Sequence, residues 1–105
     1  MFGPIYFKCK LNGNFISIRD ADRKLGVPIV SSPKQGDNRH QRWLMEGAGN
    51  GWHFLHSGFN GNVIGLGELD AQGGASLISV AKDSKASDQL WSIAPLGNAL
   101  FHLKN

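Results

Sequence analysis

The chain has 105 residues, 41% of them hydrophobic and 18% charged, with a formal net charge of +3, which is the composition of one globular domain and not of a disordered segment or of two ordinary domains. No run of roughly 18 apolar residues is present, so the sequence excludes a membrane-spanning helix. Fourteen glycines and few long helix formers exclude helical bundles and coiled coils.

The opening, Met1 to Lys8, carries no basic segment ahead of an apolar run, so no secretion signal is read there. Cys9 stands alone and cannot form an internal disulfide, which favours a reducing compartment or a design without disulfides; the expected setting is cytoplasmic or otherwise without a visible secretion signal. Residues 1–48 hold eight basic residues (Lys8, Lys10, Arg19, Arg23, Lys24, Lys34, Arg39, Arg42) against four acids, whereas residues 49–105 hold three against four. Asp20, Asp22 and Asp37 are interleaved with the basic residues, as on a solvated face. Nucleic-acid binders use denser basic clusters with aromatics between, so nucleic acid is disfavoured as a partner.

Sliding the chain along itself without gaps until Asn60 meets Asn12 superposes Asn12-Gly13-Asn14 on Asn60-Gly61-Asn62, Ile16 on Ile64, Asp22 on Asp70 and Gly26 on Gly74. The same register superposes Ser31 on Ser79, Lys34 on Lys82, Gln41 and Trp43 on Gln89 and Trp91, and Leu55 on Leu103; 14 of 57 pairs are identical. Chance identity at this composition is roughly four pairs, so the recurrence is real. The expected units are 1–48, 49–96 and the start of a third at 97–105.

Four short strands are predicted in each unit, in chain order. The first, Ile5–Leu11 and Trp52–Phe59, is rich in aromatic and apolar residues and runs into Asn-Gly, a pair that accepts positive φ at both positions and signals a hairpin. The second is Phe15–Ile18 and Val63–Leu66. Polar loops Arg19–Leu25 and Gly67–Gly73 lead through Gly26 and Gly74 into the third, Val27–Ser31 and Ala75–Val80. After a second pair of polar loops, Pro33–His40 and Lys82–Asp88, the fourth is Gln41–Met45 and Gln89–Ile93. Four-stranded units of this length suit a propeller blade or a trefoil lobe. Two blades cannot close a propeller, and the blade signature is missing, so the fold class expected is all-β, with β-trefoil lobes.

Gln41-Arg42-Trp43 and Gln89-Leu90-Trp91, with hairpin openings Tyr6–Ile18 and Phe54–Leu66, resemble the ricin-type β-trefoil lectins and their Gln-x-Trp repeat. The resemblance covers essentially the whole chain. It implies a carbohydrate-binding recognition protein, with a glycan or glycoprotein as partner. It implies inward tryptophans filling the centre where lobes meet, and glutamines that satisfy turn backbone. It also implies a shallow sugar pocket made by an aspartate in the second strand, an aromatic platform at the end of the third, and an Asn-Gln before the tryptophan. In this sequence those positions fall on Ser17 and Gly65, near Ser32 and Val80, and on His40-Gln41 and Asp88-Gln89. The sugar pockets are therefore expected to be degenerate. The candidate carbohydrate-binding residues are His40, Gln41, Asp88 and Gln89, with the recurring loop acids Asp22 and Asp70.

Other constellations carry less. His53 and His56 are three apart on a strand and face opposite ways, so they do not chelate one ion. The glycine-rich run Gly65–Gly74 is followed by neither lysine-serine nor a helix start, and reads as a loop. Cys9 reads as a packing residue in an apolar strand. No cofactor, metal or catalytic set is expected. Two other functions stay open: a protein–protein or inhibitor module on the same scaffold, or a polyanion binder using the basic first unit. A threefold plan of about 144 residues would make this chain about two and a fifth repeats, whether as part of a longer polypeptide or completed by another chain. For the chain alone, self-association burying Leu100, Phe101 and Leu103 is the expectation.

Overall fold

The computed structural model describes residues 2–9, 11–69, 71, 74–97 and 100–104, with Phe2, Leu69 and the described residues from 94 onward given as backbone alone. The described residues form nine strands: β1 (Phe2–Ile5), β2 (Phe15–Ile18), β3 (Ile29–Ser32), β4 (Trp43–Gly49), β5 (Trp52–Ser57), β6 (Val63–Leu69), β7 (Ala75–Val80), β8 (Ser92–Gly97) and β9 (Leu100–Lys104). They contain no α-helix; three short 3₁₀ turns, Arg19–Ala21, Arg39–Gln41 and Ser87–Gln89, complete them. None of these is long and apolar enough to cross a membrane.

Both Asn-Gly sites reverse the chain, but not as the two-residue hairpin their sequence suggests. Gly13 and Gly61 have positive φ (72° and 77°) while Asn12 and Asn60 do not. Each asparagine uses its side chain instead: Asn12 Oδ1 accepts from Asn14 N at 2.9 Å, and Asn60 Oδ1 from Asn62 N at 3.0 Å. The glycine amides donate four residues back, Gly13 N to the Cys9 carbonyl and Gly61 N to that of Ser57. An asparagine side chain that bonds to backbone two residues on replaces the second left-handed residue, and the loop lengthens accordingly.

Two further expectations are corrected. The first strand of the first unit lies at Phe2–Ile5, and among the described residues the rest of the predicted Ile5–Leu11 strand keeps a bridge from Lys8 to Phe15 and the bond from Ile16 N to Phe7 O. Cys9 is therefore a turn residue; its amide and carbonyl are bound to Asn14 and Gly13. The fourth strands start at Trp43 and Ser92, not at the glutamines, because Gln41 and Gln89 end 3₁₀ turns.

The sheets are antiparallel throughout: a five-stranded sheet in the order β1-β4-β5-β6-β7 and two hairpins, β2-β3 and β8-β9. The bridge Ile5↔Trp43 recurs one repeat later as His53↔Trp91. Between the two units, Pro28 bridges Ile78, Gly26 N donates to Ser79 O at 2.7 Å, and Ser79 N donates to Val27 O at 2.9 Å. The core is one cluster of Ile18, Val27, Trp43, Met45, Leu55, Ile64 and Trp91, drawn from both units. The side chains of Leu100, Phe101 and Leu103, expected at an interface, lie outside the described residues.

Glu46 on β4 ties strands of the two units together. Its Oε1 lies 2.7 Å from Nε2 of His56 on β5 and 2.9 Å from Nζ of Lys82, while His56 Nδ1 lies 2.9 Å from the Gly61 carbonyl. Lys82 Nζ also stands 4.7 Å from the centre of the Phe54 ring. The hydrogen bond from His56, then that from Lys82, holds the Glu46 carboxyl below its ordinary value of 4.5. A carboxyl lowered in the folded state contributes stability that is present above its unfolded value and lost as pH falls through its folded value. Glu46→Gln is therefore expected to lower the urea midpoint near neutral pH, with the gap to the wild-type protein closing between about pH 5 and pH 2. A gap that stays constant over that range would refute the assignment.

Candidate functional site

Each Gln-x-Trp element is built the same way. A 3₁₀ turn delivers the glutamine inward, where its Nε2–H donates to a carbonyl eight residues back: Gln41 to Pro33 O at 2.9 Å, Gln89 to Ala81 O at 3.0 Å. The Oε1 accepts from Gln35 N at 3.1 Å and from Asp83 N at 2.8 Å, respectively. The tryptophan indole N–H then donates across the core, Trp43 to Ile16 O and Trp91 to Ile64 O, both at 3.0 Å. These four side chains are 0–6% exposed and hold backbone that no strand pairs.

The pocket positions implied by the lectin resemblance are closed. In the first unit Ser17 Oγ and Ser32 Oγ bond to each other at 2.8 Å, and Gln41 Nε2 reaches both, at 3.1 and 3.3 Å. Ser17 is 1% exposed, so its hydroxyl is satisfied inside the protein and offers nothing to a ligand. In the second unit a Cβ on Gly65 would meet Val80 Cγ2 at 2.9 Å, Gln89 Cγ at 3.4 Å and Asp88 Oδ2 at 3.8 Å. Val80 has filled the space, and an acid at position 65 would not fit.

The other candidates scatter. His40 is 4% exposed and meets the Phe59 ring edge-on at 6.4 Å. Asp22 Oδ1 accepts from Lys24 N at 2.9 Å and so organises its own loop. Asp70 lies outside the described residues. Asp88 is exposed and stands at a groove of about 490 Å³ lined by Trp52, Ser87, Asp88 and Leu90.

Trp52 begins β5 and keeps 36% of its surface exposed, unlike the two buried tryptophans. The groove thus brings together an indole, a carboxylate, a hydroxyl and an aliphatic wall. Sequence reasoning assigned Trp52 to a strand and missed it as a site residue. The one signal was available in the repeat register, which sets this tryptophan against Pro4, where an aromatic core residue would recur in both units. Among the described residues no group of three or more His, Cys, Asp or Glu could hold a metal ion.

Three basic residues of the first unit have aromatic or polar partners, although Arg23 and Arg39 stay exposed. Arg23 lies 4.0 Å over the Phe59 ring and Arg39 6.0 Å from it. Arg39 Nη2 also pairs with Asp37 Oδ2 at 3.0 Å, and the hydrogen bond from Arg39 holds the Asp37 carboxyl below its ordinary value. Arg42 Nε donates to Asn38 Oδ1 at 3.0 Å.

No family model matches the chain, and no curated protein matches it. Solved structures do. The chain is similar to ThreeFoil, a designed 3-fold symmetric protein, with a TM-score of 0.84 at 18% identity, over 93% of this chain and 69% of that one. It is also similar to an exo-beta-1,3-galactanase from Clostridium thermocellum, with a TM-score of 0.76 at 17% identity, over 88% of this chain and 20% of the enzyme. The chain therefore spans about a fifth of the galactanase's length. The recurring hairpins, the shared core and these superpositions give one conclusion: the protein is all-β, with the β-trefoil fold.

Proposed function

We propose that the protein recognises carbohydrate without transforming it, as a lectin-like β-trefoil of the ricin type whose usual sugar pockets are closed. The observation that carries this reading is the groove in which exposed Trp52 meets Asp88 and Ser87. A pyranose presents an apolar C–H face, which an indole covers, and a rim of hydroxyls, which a carboxylate accepts strongly and a serine hydroxyl accepts or donates to. The volume of about 490 Å³ lies in the ordinary range for small-ligand sites. In this arrangement the acid has moved from the second strand to the 3₁₀ turn, and the aromatic from the third strand to the start of β5.

The carboxylate in the groove opposes acidic sugars, so neutral glycans are the expected class. The galactanase with a similar fold acts on a galactan, which makes β-1,3-linked galactose a first probe. On a glycan array the protein is expected to retain neutral glycans at high salt, where exposed charge pairs are screened. Trp52→Ala is expected to weaken that binding by about tenfold or more, equivalent to about 1.4 kcal/mol, and Asp88→Asn by a similar factor. Binding restricted to sulfated glycans and abolished by salt would move the function to the basic first unit. A silent array, or binding indifferent to Trp52→Ala, would sink the reading.

A further inference from the structure

A third Asn-Gly pair, Asn50-Gly51, joins β4 to β5, and its turn differs from those at Asn12-Gly13 and Asn60-Gly61. Asn50 and Gly51 both have positive φ, 55° and 83°, and Gly49 pairs with Trp52 across them. This is the two-residue primed hairpin turn, which suits asparagine and glycine because both tolerate the left-handed region. Gly49, Asn50 and Gly51 are exposed, and a Cβ on either glycine would meet no atom within 4 Å. Among the described residues, neither the Asn50 side chain nor the Gly51 amide has a hydrogen-bond partner.

The other two pairs are held. Gly13 N donates to Cys9 O at 2.8 Å and Gly61 N to Ser57 O at 3.0 Å. Asn12 Oδ1 and Asn60 Oδ1 accept from Asn14 N and Asn62 N. Asn60 is also half-buried, with its Nδ2 shut off from solvent.

This difference bears on a covalent step open to an asparagine that precedes glycine. The glycine nitrogen loses its proton and attacks the asparagine Cγ. The N–Cγ bond forms, the Cγ–Nδ2 bond breaks, and ammonia leaves carrying the proton that solvent took from the amide. Water then opens the five-membered imide at either carbonyl, giving aspartate or its β-linked isomer. No oxidant, reductant or cofactor enters. The attack needs an amide free to lose its proton and to turn toward Cγ. An N–H that donates to a carbonyl is not free, and an Oδ1 that holds another amide fixes the side chain.

We infer that Asn50 is the deamidation site of this protein, and that Asn12 and Asn60 are protected by their turns. A hydrogen bond that must open first slows such a step by about two- to tenfold, so the two bonds at each held pair give a difference of about tenfold or more. The product alters one defined place. The new acid removes one unit of the +3 net charge. The β-linked form adds a backbone atom to a turn whose length sets the pairing of Gly49 with Trp52. The assignment rests on the turns and not on the carbohydrate reading, although Trp52 directly follows this one.

The test incubates the full folded chain at mildly alkaline pH, below its unfolding transition. Mass spectrometry follows each Asn-Gly peptide through the mass gained when an amide becomes an acid. Asn50 is expected to convert about tenfold faster than Asn12 and Asn60. In urea, where the turns are lost, the three rates are expected to converge to within about twofold. Asn50→Asp keeps a residue that accepts positive φ and is expected to remove most of the mass gain of the folded chain. Conversion at Asn12 or Asn60 as fast as at Asn50 in the folded chain would overturn the inference. So would an order that persists in urea, because neighbouring residues and not the turns would then set the rates. Amide hydrogen exchange checks the cause independently: Gly51 is expected to exchange about tenfold faster than Gly13 and Gly61, and equal protection would overturn the assignment.

Discussion

Trp43→Ala is expected to cost about 3–5 kcal/mol, the range for a large aromatic removed from a packed core. Trp43 is 1% exposed, packs against residues of both units, and donates its indole N–H to Ile16 O. A domain of this size has about 5–15 kcal/mol of stability in all, so the variant is expected to be partly or wholly unfolded at room temperature. Trp91 makes the same bond to Ile64 O, but a void of about 40 Å³ lined by Ile16, Leu55, Ile64, Leu77 and Trp91 already lies beside it. Contacts absent from the native state are not lost on truncation, so Trp91→Ala is expected to cost less than Trp43→Ala. Urea unfolding of both variants gives the order. Equal losses would show that the void does not persist in solution.

Gln41→Leu is the second large effect, at about 2–4 kcal/mol, and it acts through polar groups and not through volume. Leucine keeps most of the bulk but strips Gln35 N of its acceptor and the Pro33 carbonyl of its donor. It also breaks the contact to the paired hydroxyls of Ser17 and Ser32. Among the described residues Gln89 reaches the Ala81 carbonyl and the Asp83 amide, with no hydroxyl pair beneath it. Gln89→Leu is therefore expected to be the milder change by about 1 kcal/mol. Gln41→Glu separates the two contributions, since a carboxylate still accepts from Gln35 but cannot donate to Pro33. If Gln41→Leu were neutral, the glutamine would not be a structural tie.

At the place in the first unit that matches the Trp52 groove in the repeat register, Phe59 packs with Arg23 over its ring and Arg39 6.0 Å from it. A sugar at Asp88 would use a place that the first unit has already filled.

The local sequence determined a good deal by itself. The register of Asn-Gly, Gln-x-Trp and apolar alternation placed β2 and β7 at their observed bounds and identified Trp43 and Trp91 as core. It did so because periodic burial and turn chemistry are local, and because a repeat states each element twice. Tertiary structure decided the rest. Whether a glutamine lies on a strand or a 3₁₀ turn depends on the Pro33 and Ala81 carbonyls it must satisfy, and these are fixed by the loop's return path. Whether a pocket stays open depended on Val80 filling the space over Gly65, and on Ser17 finding Ser32 across a hairpin. Leu11 and Phe59 occupy the same place in the register, yet one is 91% exposed and the other packs on the core. Nothing in either residue distinguishes them; only the presence of a neighbouring unit does, because burial is a property of the pair of surfaces and not of the side chain alone.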